Sequence, residues 1–199
     1  MPAKSRYSAD LTAGSLKLRE SRVLADLLLT GASEEQWKAA IVRDNRLQAR
    51  TPATAVRLAR LIRFRLEEFD AGLWIMVRDG SKPLATQALL AAAVKHSALL
   101  RDFMDQVLRD EYVLFRTHLS TGVWSAFLNS CQAKDPAMPV WGDATRDRLR
   151  SSVFQILAQG GYLSDTSTRE MQRVTILPEL LAYLTNRGES PLLRCLQLP

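Results

Sequence analysis

The stretch TPATAVRLARLIRFRLEEF, residues 51–69, decides how the first half of the chain folds. Thr51 has a side-chain oxygen that accepts an N–H group at the start of a helix, and Pro52 suits the first helical position because its missing N–H would have no partner there. At about 100° per residue, Arg57, Arg60 and Arg63 fall on one side of such a helix. Apolar side chains recur on the opposite side at steps of three and four residues: Ala55, Leu58, Ala59, Ile62, Leu66 and Phe69. The stretch therefore predicts a helix that packs through its apolar face and presents arginines outward.

The net positive charge of the chain is concentrated in the segment from Gln36 to Arg65. It has eight basic residues against one acid, Asp44, which is a local net charge of +7 beside +6 for all 199 residues. The basic residues are Lys38, Arg43, Arg46, Arg50, Arg57, Arg60, Arg63 and Arg65. Such a cluster favours a polyphosphate partner, most simply nucleic acid. A solvated basic helix without a ligand, or one that meets an acidic protein, is the open alternative.

Composition and length bound the class of protein. An apolar share of 47% over 199 residues is enough for one large domain or two small ones with a proper core. Cys131 and Cys195 are the only cysteines and lie far apart, which favours a reduced cytoplasmic protein with two unpaired thiols. Residues 1–14 lack the apolar core of a secretory signal. The longest apolar segment, 88–94, is far shorter than the roughly 20 residues that cross a bilayer, so we expect no membrane contact.

The N-terminal module is predicted over residues 1–80. Residues 1–14 are expected to form a loosely held arm, in which Lys4 and Arg6 are optional phosphate contacts. A helix follows from Ser15 to about Thr30.

A helix-turn-helix-like element is predicted over residues 33–69. The capping box Ser33 to Gln36 begins a short helix, and Asn45 is a plausible left-handed end. The second helix of the pair is the basic stretch described above, which is the helix-turn-helix plan. Since the connection at residues 44–51 is longer than usual, an ordinary corner of a helical bundle fits the pattern about as well.

Residues 81–118 predict central packing helices. Ser81 and Pro83 predict the start of a helix, because a capping side chain followed by a proline in the first turn is the pattern also seen at Thr51 and Pro52. Its alanine- and leucine-rich body, residues 84–94, has small side chains nearly all round, which predicts the most buried helix of the chain.

Residues 119–199 predict a C-terminal winged-helix-like module. Helices over 122–133 and 143–159 precede two short strand-like runs, 162–163 and 174–177. The polar loop between these runs would be the tip of a small β-hairpin wing; the alternative is a capping hairpin with a solvated tip. The predicted fold class is therefore mainly α: a compact multi-helix globule with two helix-turn-helix-like modules, the second carrying the hairpin.

No constellation of residues indicates catalysis. His96 and His118 lie in different helices, and neither has a metal-ligand partner at the usual spacing. Cys131 has no nearby histidine or helix N-terminus to acidify it, which favours a small core residue over a nucleophile. No glycine-rich phosphate loop occurs. We predict a protein that is not an enzyme and has no metal and no cofactor.

Several short segments, taken in order, are similar to those of one known family. They are Tyr7-Ser8-Ala9 with Leu11 ahead of Gly14 and Glu20-Ser21, the corner Asn45-Arg46-Leu47-Gln48, the run Arg60-Leu61-Ile62-Arg63-Phe64-Arg65-Leu66, the segment from Lys95 that ends in Arg101-Asp102-Phe103, and Val153-Phe154-Gln155-Ile156-Leu157-Ala158 leading to Gly161-Tyr162-Leu163. The set spans nearly the whole chain and resembles the BrxA family, a core component of bacterial phage-exclusion (BREX) systems. The resemblance implies an all-α protein with helix-turn-helix elements that binds double-stranded DNA beside a DNA methyltransferase and a large ATPase. The family has also been likened to an RNA-binding antitermination fold, which keeps RNA open as a ligand.

The predicted function is a non-enzymatic subunit, with monomers favoured, that contacts mainly the phosphate backbone of double-stranded DNA with weak sequence preference. The predicted binding residues are Arg43, Arg46, Arg50, Thr54, Arg57, Arg60 and Arg63 in the first module, and Arg148, Ser151, Gln155, Arg169 and Arg173 in the second. Thr54 and Arg57, near the start of their helix, are expected to reach base edges in the major groove.

Two other functions stay open at the level of the sequence. One is a protein-interaction scaffold whose arginines meet acidic surfaces and whose apolar tail, residues 192–198, docks on a partner. The other is an RNA-binding helical module, although the deep A-form major groove excludes a helix.

Overall fold

The computed structural model describes residues 5–11 and 15–199, which are mainly helical. The helices in chain order are α1 (Leu18–Leu29), α2 (Glu34–Lys38), α3 (Pro52–Leu66), α4 (Ala71–Asp79), α5 (Lys82–His96), α6 (Ala98–Asp102), α7 (Arg109–Val113), α8 (Gly122–Lys134), α9 (Asp143–Gln159), α10 (Pro178–Asn186) and α11 (Ser190–Leu196). Two π-helical segments, Ala39–Arg43 and Phe103–Leu108, continue α2 and α6. None of the helices in the described ranges combines the length and apolarity that crossing a membrane requires.

The chain divides into two compact units. The N-unit comprises Leu16–His96 and Leu177–Arg187, and the C-unit comprises Met1–Ser15, Ser97–Ile176 and Gly188–Pro199. The helical fold class is confirmed, whereas the module bounds 1–80, 81–118 and 119–199 stay a prediction.

Helix α5 forms the centre of the N-unit and contacts α1, α3, α4 and α10. Every residue from Ala88 to Val94 is buried, which confirms the sequence-based expectation for this segment. Small side chains all round the helix let several neighbours approach it at once, so burial does not depend on one face.

Local capping positions α3 as the sequence predicts. The N–H of Thr54 donates to the Thr51 side-chain oxygen at 3.2 Å, and Pro52 occupies the first helical position. In the preceding connection, Asn45 has a φ of +43° and its amide exchanges two hydrogen bonds with the Ala49 backbone, at 2.9 and 3.0 Å. The capping box of α2, with Ser33 and Gln36, is also present. The long connection therefore has a defined shape, which sets where α3 begins.

An aromatic cluster forms the core of the C-unit. The ring of Phe103 lies 5.4 Å from Trp124 and 5.3 Å from Phe127, measured between centroids. The Phe154 ring of α9 lies 6.3 Å from that of Phe103. Because these rings come from the π-helical segment, α8 and α9, the cluster holds the three elements together.

The N-terminal segment corrects one expectation. Lys4 lies outside the described residues, but Tyr7 and Leu11 are buried rather than loosely held. The Tyr7 hydroxyl donates to Asp102 at 2.7 Å, and Arg6 pairs with the other oxygen of that carboxylate at 2.6 Å. Burial, together with the Asp102 carboxylate, raises the pKa of Tyr7 well above its ordinary value. Arg6 therefore has an internal partner, which composition alone did not reveal.

The predicted hairpin wing is wrong, because no strand forms among the described residues. Two isolated antiparallel bridges occur instead, Leu163 with Met171 and His118 with Glu170. Residues 169–172 divide their backbone hydrogen bonds between 117–119 and 162–164, so neither neighbour supplies the consecutive pairs of a ladder. Residues 174–177 lead into α10 and pair with no strand.

The apolar tail forms α11 and packs within the C-unit. Leu192 and Leu196 are buried, and the Leu196 carbonyl accepts a hydrogen bond from the Tyr162 hydroxyl at 2.5 Å. Arg194 pairs with Asp105 at 2.8 Å. Much of the tail's apolar surface is thus already used inside this unit, which weakens its assignment to a partner.

Candidate nucleic-acid interface

Helix α3 presents two of its three predicted arginines to solvent. Arg57 and Arg60 are exposed, as is Arg50 in the preceding connection. Within the described part of the chain, none of the three has a carboxylate within 4.0 Å. Arg60 lies over the Phe64 ring at 5.4 Å from its centroid. These guanidinium groups are therefore placed to meet an anion without first losing an ion pair.

Arg63 differs from its neighbours because it turns toward internal partners. Its Nε lies 2.7 Å from Glu67 and its Nη1 lies 3.2 Å from Glu34. The guanidinium also covers the Trp37 ring at 4.6 Å. The hydrogen bond to Glu67 raises the pKa of Arg63. Of the three arginines that the sequence predicts on the outer face of α3, only Arg57 and Arg60 thus lack a carboxylate partner among the described residues.

Two further predicted residues lie at the corner between α2 and α3, and each has an acidic neighbour. Arg43 pairs with Asp44 at 2.9 Å, and Arg46 with Asp26 at 3.5 Å. The Arg43 side chain is 77% exposed and the Arg46 side chain 42%. Pairs between exposed charges contribute little to stability because water and salt screen them, so they are weak competitors for a phosphate.

An apolar groove beside these arginines was missed by the sequence analysis. It lies between α2 with its π-helical extension and α3, and has a volume of about 470 Å³. The apolar lining residues are Trp37, Ile41, Val42, Val56, Ala59 and Phe64. Val56 is 50% exposed and Phe64 46%. Val56 and Phe64 each lie four residues from Arg60, so helical spacing places them on the same outer face. From the sequence, only the arginines of that face were considered, and the groove was therefore not predicted.

A polar cleft in the C-unit gathers three of the predicted residues. Ser151, Gln155 and Arg169 line a cavity of about 440 Å³ over Phe154. Arg150, which the sequence analysis did not select, lines it too and pairs with Asp147 at 3.3 Å. We refer to this cavity as the α9 cleft.

Arg169 is held inside this cleft by the backbone. Its Nε donates to the Leu119 carbonyl at 3.1 Å and its Nη1 to the Thr166 carbonyl at 3.4 Å. It also has a φ of +54°. With these donors engaged, Arg169 braces the loop more than it offers charge to a ligand.

The remaining predicted residues, Arg148 and Arg173, do not line the α9 cleft. Arg148 is exposed on α9, and Arg173 lines a separate small hollow with Tyr112 and Phe115. The predicted second set of residues is therefore divided over three places in the C-unit.

The described residues hold no group of three or more His, Cys, Asp and Glu side chains arranged for a metal ion. Cys131 and Cys195 are both buried. Burial raises the pKa of the Cys195 thiol to about 11 and that of Cys131 above its ordinary value. Both thiols are therefore protonated at neutral pH, which suits core residues.

Comparison with known proteins decides the family. The model of the BrxA family matches residues 5–188. The chain belongs to the BrxA family. It is 47% identical over 196 residues to a protein of Paramagnetospirillum magneticum strain AMB-1 named BREX protein BrxA, with 98% of each chain covered. It is 36% identical over 191 residues to a protein of the same name from Escherichia coli O9:H4 strain HS, covering 96% of this chain and 90% of the relative.

A solved structure shares the fold of this chain. A crystal structure of an uncharacterized protein from Magnetospirillum magneticum superposes with a TM-score of 0.91 at 45% sequence identity. The match covers 98% of this chain and 100% of the other. The homologues of this BrxA-family chain are thus BREX proteins, components of phage defence.

Proposed function

We propose that this BrxA-family chain is a non-enzymatic subunit that binds double-stranded DNA in BREX phage defence. The observation that carries the proposal is the exposed trio Arg50, Arg57 and Arg60, which has no carboxylate partner in the described part of the chain. Guanidinium groups bind phosphate through two parallel N–H donors. Neutralising phosphates releases counterions, which supplies affinity without reading sequence.

Helix α3 is the element proposed to lie along the duplex. In a helix-turn-helix arrangement, the first residues of the second helix face the base edges. Thr54 and Arg57 occupy that position in α3, where Arg57 would also contact the adjoining phosphate. Arg43 and Arg46 would add phosphate contacts by exchanging their weak surface pairs. Arg63 would contribute indirectly, because its ion pairs with Glu34 and Glu67 hold α3 against α2.

A second, weaker contact patch is proposed in the C-unit. Arg148 and Arg173 are exposed cations there, and Gln155 supplies an amide donor at the α9 cleft. The Ser151 hydroxyl donates to the Asp147 carbonyl at 2.9 Å and offers its oxygen as an acceptor. Because most of these groups suit phosphate or sugar, we propose weak sequence preference.

Salt dependence of duplex binding tests the proposal. Each phosphate contact contributes about 0.9 to the slope of log K against log salt, so Arg57→Ala/Arg60→Ala should flatten that slope by about 1.8. The matched control is Arg19→Ala/Lys82→Ala, which removes two exposed charges from α1 and α5 of the same unit. An unchanged slope for the first variant would remove α3 from the interface. Competition with single-stranded DNA and RNA at physiological salt decides between the nucleic acids.

The apolar groove favours a second candidate function, docking of a protein partner. Lys38 and Arg60 are exposed cations at its rim without a carboxylate partner among the described residues. The two acids that line the groove, Glu34 and Glu67, both pair with Arg63. An amphipathic helix could pack its apolar face against the apolar lining of the groove and place acidic side chains beside Lys38 and Arg60. Candidate owners of such a helix are the methyltransferase and ATPase of the same system.

Binding of those two purified subunits, measured by calorimetry after nuclease treatment, tests this candidate. Phe64→Ser should abolish protein binding while leaving the DNA salt slope unchanged. Arg57→Ala should do the reverse. If neither subunit binds the nuclease-treated protein, the docking function is rejected.

A further inference from the structure

Helix α7 of the C-unit ends in an unusual way. Phe115 follows the helix with a φ of +53°. Its N–H donates to the Tyr112 carbonyl at 3.0 Å, and the N–H of Arg116 donates to the Glu111 carbonyl at 3.0 Å. This pair of bonds is the Schellman motif, and Phe115 occupies the left-handed position that usually holds glycine.

A phenylalanine is a costly choice at this position. The left-handed backbone brings its Cβ close to neighbouring backbone atoms, a contact that glycine avoids. The ring does not recover that cost by burial, because Phe115 is 84% exposed. Its predecessors Val113 and Leu114 are exposed as well. Non-glycine residues with a left-handed backbone are concentrated at functional sites. We therefore expect a function of the Phe115 ring outside the core of the C-unit.

The hollow beside Phe115 carries more positive than negative charge. Arg116 and Arg173 line the same hollow of about 210 Å³. Both are exposed, and neither has a carboxylate within 4.0 Å in the described ranges. One acid, Glu170, also lines the hollow. An apolar ring that shares a hollow with two arginines lacking a carboxylate partner matches an anionic chain that carries flat apolar faces, which is the chemistry of nucleic acid.

We propose that Phe115 is a wedge that inserts between stacked base pairs of duplex DNA, while Arg116 and Arg173 contact the flanking phosphates. The proposal rests on the DNA-binding function and adds a second mode of contact to it. Apolar wedges of this kind unstack one base step and kink the duplex. The rigid Schellman turn suits the task, because it fixes the direction in which the ring projects.

The decisive variant is Phe115→Gly, since it separates stability from binding. Glycine relieves the left-handed backbone, so the urea midpoint should stay the same or rise. Duplex affinity should nevertheless fall by about 5- to 150-fold, the range expected when one aromatic–base contact is lost. Phe115→Trp keeps an aromatic wedge and should retain most of the affinity. The matched control is Val140→Ala, at another side chain of the C-unit with 84% exposure.

A duplex containing 2-aminopurine gives the second readout. Wild-type protein should raise its fluorescence by unstacking the base, and Phe115→Gly should not. Unchanged affinity and fluorescence in Phe115→Gly would overturn the wedge while the α3 interface stands. A lower urea midpoint for Phe115→Gly would instead make the ring structural and would also overturn it. Tight binding only to single strands contradicts insertion into a duplex, and absence of any duplex binding by the wild type overturns both proposals.

Discussion

The α3 face and the α9 cleft were both predicted to contact DNA, yet they are built in opposite ways. On α3, Arg57 and Arg60 stand exposed beside an apolar groove whose Phe64 is half-exposed. In the α9 cleft, Arg169 gives its donors to backbone carbonyls, and the floor is the buried ring of Phe154. An exposed cation without an internal partner is a candidate for a ligand, whereas an anchored cation mainly stabilises its loop.

The largest expected difference between the two regions is in stability. Phe154→Ala removes a buried aromatic that packs against Phe103, and should lower the free energy of unfolding by about 3–5 kcal/mol. Phe64→Ala removes a half-exposed ring and should cost about 1 kcal/mol or less. Urea denaturation with a shared fit of the m value measures both. Equal losses would mean that the groove floor is core and that no docking surface exists there.

An intermediate difference is expected between two arginines of α3 itself. Arg63→Ala loses two ion pairs and the contact with Trp37, and because the side chain is one-third exposed we expect a loss of only about 1 kcal/mol. Arg57→Ala should leave stability within about 0.5 kcal/mol, since its side chain has no such partners.

Duplex binding should rank the same two variants in the reverse order. Arg57→Ala is expected to flatten the salt slope by about 0.9, and Arg63→Ala by clearly less. Thermal unfolding measures the stability change of each variant, and a salt titration of duplex binding measures the slope of each. If Arg63→Ala has the larger effect on the salt slope, its ion pairs open on binding and the division into free and engaged arginines fails.

The smallest expected effect is a pH response confined to the loop beside the α9 cleft. The Asp165 carboxylate accepts hydrogen bonds from the backbone N–H and hydroxyl of both Ser167 and Thr168, at 2.6 to 2.7 Å. These bonds hold the pKa of Asp165 well below its usual range. Because the folded pKa lies below the unfolded value of about 3.9, the contribution is present above that pH and is lost as pH falls through the folded pKa.

An NMR titration of the Thr168 amide from pH 6 to pH 2 measures this effect. The amide should keep its neutral-pH shift at pH 3, and Asp165→Asn should lose that shift at every pH. Amides of α3 should show no matching transition. A midpoint near pH 4 for Thr168 would show that the loop is not tied down by Asp165.

Short-range features of the fold could be predicted from the sequence with good detail. The caps at Thr51 and Ser33 and the left-handed Asn45 depend on neighbours within four residues, so local patterns carry them. The buried α5 depends on composition alone. The wing failed because the partners of residues 169–172 include 117–119, about fifty positions away, which no local pattern indicates.

The candidate site shows the same limit. The basic cluster and its place on α3 were evident from residue types and helical spacing. Whether each arginine is free was not, since Arg63 meets Glu34 across 29 positions and Arg6 meets Asp102 across 96. The α9 cleft likewise joins Thr121 to Arg169 through the fold.

The sequence by itself thus determined that the chain is helical, that α5 is buried, and that positive charge concentrates around α3. Only the tertiary structure decided which of those arginines pair with internal carboxylates and carbonyls, and which apolar side chains stay exposed to solvent. The physical reason is range: helix formation and capping act within one or two turns, whereas ion pairing and burial depend on residues that folding brings together from distant parts of the chain.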